Sequence, residues 1–138
     1  MPSRPPESAQ GSCLCGAVTF TARLPSRWVA HCHCTRCRRA HGSAFVTWVG
    51  LDADGVRIED AGQALRWYES PAQPGSRGFC SRCGSPMFFK APGWPGELHA
   101  ARALFTTPVD REPQVHAYYD THVSWANVAD DLPRRPAP

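Results

Sequence analysis

A chain of 138 residues with 42% hydrophobic and 20% charged side chains has the size and composition of one globular domain, which excludes a multidomain enzyme. Its formal charge is only +3, and the positive side is nearly all arginine, with Lys90 the single lysine. The 14 prolines and 11 glycines disfavour long helices, and no apolar run approaches the ~18 residues that a membrane crossing needs.

Residues 1–10 carry Pro2, Pro5 and Pro6 among polar side chains and predict a disordered leader. They hold no apolar segment of the signal-peptide kind, so a reducing cytoplasm is the default location. Alternation predicts strands in Val18-Thr19-Phe20-Thr21-Ala22 and Phe45-Val46-Thr47-Trp48-Val49. Further strands are predicted at residues 55–59, 65–69, 86–90, 98–102 and 115–119, separated by turn signals such as Asp54-Gly55 and Pro92-Gly93. One short helix is predicted near residues 35–40. A strand roughly every ten residues predicts a compact mainly β domain, sandwich-like or barrel-like, over residues 11–133. The proline-rich residues 134–138 predict a flexible tail. Trp28, Trp48, Trp67, Trp94 and Trp125 read as core packing in so small a domain.

The seven cysteines are the unusual term. An odd number cannot pair completely into intrachain disulfides, and all seven fall into three tight groups: Cys13-Leu14-Cys15, Cys32-His33-Cys34-Thr35-Arg36-Cys37 and Cys80-Ser81-Arg82-Cys83. Thiolates two or three residues apart on one loop can reach the same tetrahedral ion, and Gly16 and Gly84 suit the turn such a knuckle needs. Iron–sulfur ligation is disfavoured because the usual cluster spacings are lacking. The two outer pairs supply the four ligands of a structural zinc. Cys32, Cys34 and Cys37 then supply three, which is either the ligand count of a catalytic zinc with an open position or a closed site completed by His31, His33 or His41. With all seven thiols ionised around two Zn²⁺ ions the formal charge falls to zero, so the basic balance is no argument for a nucleic-acid partner. Arg36, Arg38 and Arg39 beside the middle group could bind a carboxylate-bearing ligand, or else form a solvated basic face. Ser43, after Gly42, offers a hydroxyl near the same place, as a plain turn also would.

The runs Gly11-Ser12-Cys13-Leu14-Cys15-Gly16-Ala17-Val18, His31-Cys32-His33-Cys34-Thr35-Arg36-Cys37-Arg38-Arg39 with Gly42-Ser43-Ala44-Phe45, and Arg77-Gly78-Phe79-Cys80-Ser81-Arg82-Cys83-Gly84-Ser85-Pro86 together resemble the glutathione-dependent formaldehyde-activating enzyme family, which includes centromere protein V. The resemblance implies a β-tent of small antiparallel sheets stapled by zinc, a structural ion on Cys13, Cys15, Cys80 and Cys83, and a catalytic ion on Cys32, Cys34 and Cys37. It implies a carbon–sulfur lyase or synthase that joins a small thiol, glutathione or similar, to formaldehyde as an S-hydroxymethyl adduct and also runs in reverse. Arg36, Arg38, Arg39 and Ser43 are then the candidate substrate-binding residues. The chain departs from the family pattern at His122 and Arg134, which touches substrate identity and leaves metal binding intact. His33, His41, Asp120 and His122 are within reach of the site, but no general acid or base is dictated by the sequence. The rival reading is a non-catalytic zinc-binding module, as centromere protein V suggests. A zinc-ribbon nucleic-acid binder is disfavoured by the cancelled charge and the lack of a basic helix.

Overall fold

The computed structural model describes residues 4–138. A three-stranded antiparallel sheet takes the order β1 (Ser8–Ser12), β2 (Thr19–Arg23), β5 (Val56–Glu59). A seven-stranded sheet takes the order β10 (His116–Ala117), β3 (Trp28–Cys32), β4 (Val46–Asp52), β9 (Glu97–Ala101), β8 (Pro86–Lys90), β7 (Ser76–Cys80), β6 (Leu65–Glu69). The one α-helix, α1 (Thr35–His41), is two turns long, so the mainly β class with little helix is the observed one.

Alternation built β2 as the sequence predicts: Phe20 and Ala22 face inward and are buried, while Thr19 and Thr21 are half-exposed. The ring of Phe20 meets Phe88 and Phe105 edge-on, each at 5.2 Å between centroids, and Val18, Val29, Val49, Leu51, Met87 and Ala100 close the core around it. β4 lies between β3 and β9 with an almost continuous buried run, because both its faces are covered.

Four features differ from the sequence expectation. Strand β1 occupies part of the expected leader, with Ala9 only 1% exposed. It carries no large apolar side chain because the Phe20 ring covers it; a Cβ on Gly11 would lie 2.1 Å from Phe20 Cζ. β3 and β7 were not predicted: β3 is apolar on both faces and runs straight into a cysteine group, and β7 carries Gly78 beside a register shift against β8. Strand β10 is only two residues long and runs parallel to β3, against an all-antiparallel expectation. The expected flexible tail is also paired, since the Arg135 N–H donates to the His116 carbonyl at 2.9 Å and the His116 N–H to the Pro133 carbonyl at 2.8 Å.

The arrangement positions cysteines at strand ends. β3 ends on Cys32, β7 ends on Cys80, and α1 begins right after Cys34. Trp28 lies opposite Gly50 in the β3–β4 ladder, and its indole occupies the space a side chain would take, with a Cβ there only 2.3 Å from Trp28 Cε2. Gly50→Ala is therefore expected to push the Trp28 indole from its seat and lower unfolding free energy by about 1–3 kcal/mol, the usual range for overpacking. A urea titration followed by tryptophan fluorescence checks this, and an unchanged midpoint would contradict the close approach.

Candidate metal centres and the cavity between the strands

Cys13, Cys15, Cys80 and Cys83 converge so that their sulfurs all lie within 4.8 Å of one another. Cys13 Sγ and Cys15 Sγ are 3.7 Å apart, and Cys15 Sγ and Cys80 Sγ 3.8 Å. Four thiolates about 2.3 Å from one tetrahedral ion have edges of about 3.8 Å, so the spacing already fits a divalent ion. The knuckle glycines have the backbone the turn requires, φ 83° at Gly16 and 79° at Gly84. The Ser85 hydroxyl and N–H hold the Cys83 thiol down to about 5, and the Val18 N–H donates to Cys13 Sγ at 3.3 Å. Cys15, by contrast, is pushed up to about 11 by the neighbouring thiols, so the cluster shares its charge unevenly.

Cys32, Cys34 and Cys37 form a second cluster with the same mutual reach. Cys34 is the N-cap of α1, its sulfur accepting from the Cys37 N–H at 3.3 Å, so the helix turn itself sets the spacing of two of the three thiols. Hydrogen bonds from the Cys32 and Cys37 thiols hold Cys34 down to about 2, and the same sharing with Cys34 and Cys37 pushes Cys32 far up. Two further donors reach Cys37 Sγ: Trp48 Nε1 at 3.4 Å and Arg77 Nη2 at 3.7 Å. Among the described residues no His, Asp or Glu joins this trio at ligand distance.

The three thiols form part of the wall of a cavity of about 300 Å³. Trp28, Trp48, Phe89, Trp94 and Tyr118 make it apolar, and Arg36, Arg77 and Gln73 bring polar groups to it. Arg36 Nη1 donates to Gln73 Oε1 at 2.5 Å. The Arg77 guanidinium lies over the Phe89 ring at 4.9 Å, and its Nη1 is sealed from solvent without an acceptor. Tyr118 takes a left-handed backbone, φ 55°, rare for a bulky residue, at the turn that brings it to the cavity.

A profile of this set of residues matches residues 8–121: that of the glutathione-dependent formaldehyde-activating enzymes. The chain belongs to that family. A Halomonas elongata protein provisionally named a glutathione-dependent formaldehyde-activating enzyme is 30% identical over 125 residues, covering 86% of this chain and 80% of the relative. A crystal structure of a Rhodobacter sphaeroides protein superposes with a TM-score of 0.60 over 91% of this chain and 99% of its own, at 20% identity, a likeness of fold alone.

Within this family member the seven predicted metal-ligating cysteines come together in the two predicted sets. The four candidate substrate residues do not stay together. Arg36 lines the cavity, whereas Arg38, Arg39 and Ser43 do not. Ser43 instead donates to the Phe45 carbonyl at 2.8 Å. Arg77 was missed although it stands in the third cysteine motif; its only signal was a cation three residues before Cys80. The tryptophans are also not all core: Trp28, Trp48 and Trp94 line the cavity, and Trp125 is 74% exposed. Among the described residues no helix is long and apolar enough to cross a membrane.

A third group, His31, His116 and Asp130, was invisible in the sequence because its members lie far apart there. Trp28, Ala30 and Cys32 line the cavity, so His31 faces the opposite side of β3. There the His33 Nε2–H donates to His116 Nδ1 at 2.8 Å, and the His116 Nε2–H to Asp130 at 3.0 Å. His116 is fully buried, so this chain ties the C-terminal segment to the loop between Cys32 and Cys34.

Burial holds the imidazoles of His33 and His41 down to about 4. Unfolded, they titrate near 6.5, so between these values the unfolded chain binds more protons. Stability is therefore full above about pH 6.5 and falls as pH drops toward 4. His41 packs edge-on against Trp48 at 5.1 Å, so His41→Phe is expected to keep the contact and flatten this slope in a metal-free protein, as read by urea midpoints across pH. An unchanged slope would contradict a buried neutral His41.

Proposed function

We propose that the protein holds one structural zinc on Cys13, Cys15, Cys80 and Cys83 and a catalytic zinc on Cys32, Cys34 and Cys37, and that it is a carbon–sulfur lyase. Its reaction would join a small thiol of the glutathione kind to formaldehyde as an S-hydroxymethyl adduct, and cleave that adduct in reverse. The carrying observation is a trio of thiols with no fourth His, Asp or Glu within ligand distance among the described residues, set in the wall of a cavity. When bound there, zinc supplies a Lewis-acid position at which a thiol gives up its proton near neutral pH.

The remaining roles belong to the protein's own side chains. Three thiolates leave a cluster with a +2 ion net negative, which opposes the approach of a further thiolate. The Trp48 N–H and the Arg77 guanidinium on Cys37 Sγ drain part of that charge. Arg36, steadied by Gln73, offers a guanidinium fork to a carboxylate of a tripeptide thiol. The wall of Trp28, Trp94 and Tyr118 excludes water, which otherwise competes for the aldehyde carbon. A reducing cytoplasm fits seven unpaired thiols.

The rival closed site needs His31, His33 or His41 as fourth ligand. None of the three joins the trio at ligand distance: His31 Nδ1 meets the Thr47 hydroxyl at 2.7 Å, His33 Nε2 meets His116, and His41 packs against Trp48.

Metal analysis is expected to give two zinc ions per chain, one resistant to a chelator and one readily removed. With cobalt in the labile position, glutathione is expected to add a sulfur-to-metal absorption band. Cys34→Ser is expected to keep one ion and the fold while adduct formation drops by more than the ~10–100-fold typical of outer-shell changes. Two inert ions and a spectrum indifferent to glutathione would sink the enzymatic reading.

A further inference from the structure

The reaction moves one proton, and the cysteine trio has no evident place to put it. The same cavity is lined by an imidazole, His99 of β9, only 3% exposed and set between Gly50 of β4 and Phe89 of β8. Its ring sits in an aromatic cage, with centroid distances of 4.6 Å to Trp28, 5.6 Å to Trp94 and 5.7 Å to Phe89. Trp48 links it to the trio, since the indole that donates to Cys37 Sγ lies 6.5 Å from the His99 ring.

The protonation of this imidazole is set from behind. Glu97 Oε1 lies 3.0 Å from His99 Nε2, and an ionised carboxylate only accepts, so Nε2 carries the hydrogen. Glu97 is itself fixed by Trp28 Nε1 on Oε1 and Arg27 Nη1 on Oε2, each at 3.2 Å. The lone pair is therefore on Nδ1. That atom has no hydrogen-bond partner among the described residues, and His99 lines the cavity.

We propose that His99 is the proton-transfer residue of this site, oriented by Glu97, an inference that rests on the thiol–aldehyde reading above. The incoming thiol gives its proton to Nδ1, breaking S–H. Its sulfur lone pair forms the S–C bond as the C=O π pair moves onto oxygen. Nδ1–H then protonates that oxygen, giving the S-hydroxymethyl product and returning the imidazole to its starting form. The reverse reaction uses the same nitrogen to take the hydroxyl proton. Burial lowers the His99 pKa, with Glu97 partly opposing, which keeps the imidazole neutral and ready to accept. The charged and titratable groups around it are Glu97 with Arg27 behind, and across the cavity Arg36, Arg77, Tyr118 and the three thiols.

Two measurements test this on the zinc-loaded full chain. Long-range ¹H–¹⁵N spectra, with the His99 signals assigned by their loss in His99→Gln, are expected to show hydrogen on Nε2 and a bare Nδ1, with Nδ1 moving toward the protonated position on saturation with glutathione. In adduct formation from glutathione and formaldehyde, His99→Gln is expected to lower kcat roughly 10²- to 10⁴-fold with KM little changed and to abolish the acidic limb of the pH profile. Glu97→Gln is expected to shift that limb to lower pH, because the lost carboxylate favoured the protonated ring; this variant still decides the matter if His99→Gln does not fold. Hydrogen on Nδ1 in the free protein, or an unaltered acidic limb in either variant, would overturn the proposal. If the native protein forms no adduct, the thiol–aldehyde reading fails. The Nδ1 response to glutathione alone then decides whether His99 takes a thiol proton in this cavity.

Discussion

Mutual repulsion among close thiolates is the constraint on which the fold turns. Sulfurs 3.7–3.8 Å apart are unfavourable neighbours once ionised, and a divalent cation converts that repulsion into cohesion. The outer four do this between sheets. Cys13 and Cys15 lie in the β1–β2 connection of the three-stranded sheet, Cys80 ends β7 and Cys83 lies in the β7–β8 connection of the seven-stranded sheet. An ion held there would close a loop of 65 residues between Cys15 and Cys80, the kind of long closure that constrains the unfolded chain most.

The inner trio solves a different problem with the same atoms. All three thiols come from six consecutive residues, so they staple nothing distant; their spacing is set by the end of β3 and the first turn of α1. Compensation comes sideways, from the Trp48 indole and the Arg77 guanidinium, which arrive from β4 and β7. The seven-stranded sheet therefore does more than display the cavity. Its neighbouring strands deliver the donors that reach the Cys37 sulfur, and the order of strands decides which side chains those are.

Much of this was legible in the chain. Ligand sets follow from local spacing, and local spacing survives folding, so Cys13/Cys15, Cys80/Cys83 and Cys32/Cys34/Cys37 could be grouped without coordinates. Strands with one wet face, such as β2, announced themselves by alternation, and the helix near residues 35–40 is α1. What stayed hidden depends on pairing. β1 has its apolar partner in Phe20 and not in itself, and β10 is defined by β3. Arg38 and Arg39 looked equivalent to Arg36 in the sequence, and only Arg36 lines the cavity. His99 and Glu97 share no motif with the cysteines; β4 and β8 bring them to the cavity by ladder register.

The late pairing of the last residues carries a consequence for biogenesis. β3 has one flank covered by β4 and the other by residues 114–117, which include β10 and are in turn backed by residues 133–135. A nascent chain that has already assembled β3, β4 and β9 thus keeps a bare strand rim beside Cys32 until residues 114–135 have followed. Such a rim is a template for intermolecular pairing. The Asp130–His116–His33 tether latches the closing segment as it emerges, so its first service to the protein is to shorten the interval in which neighbouring polypeptides could dock there.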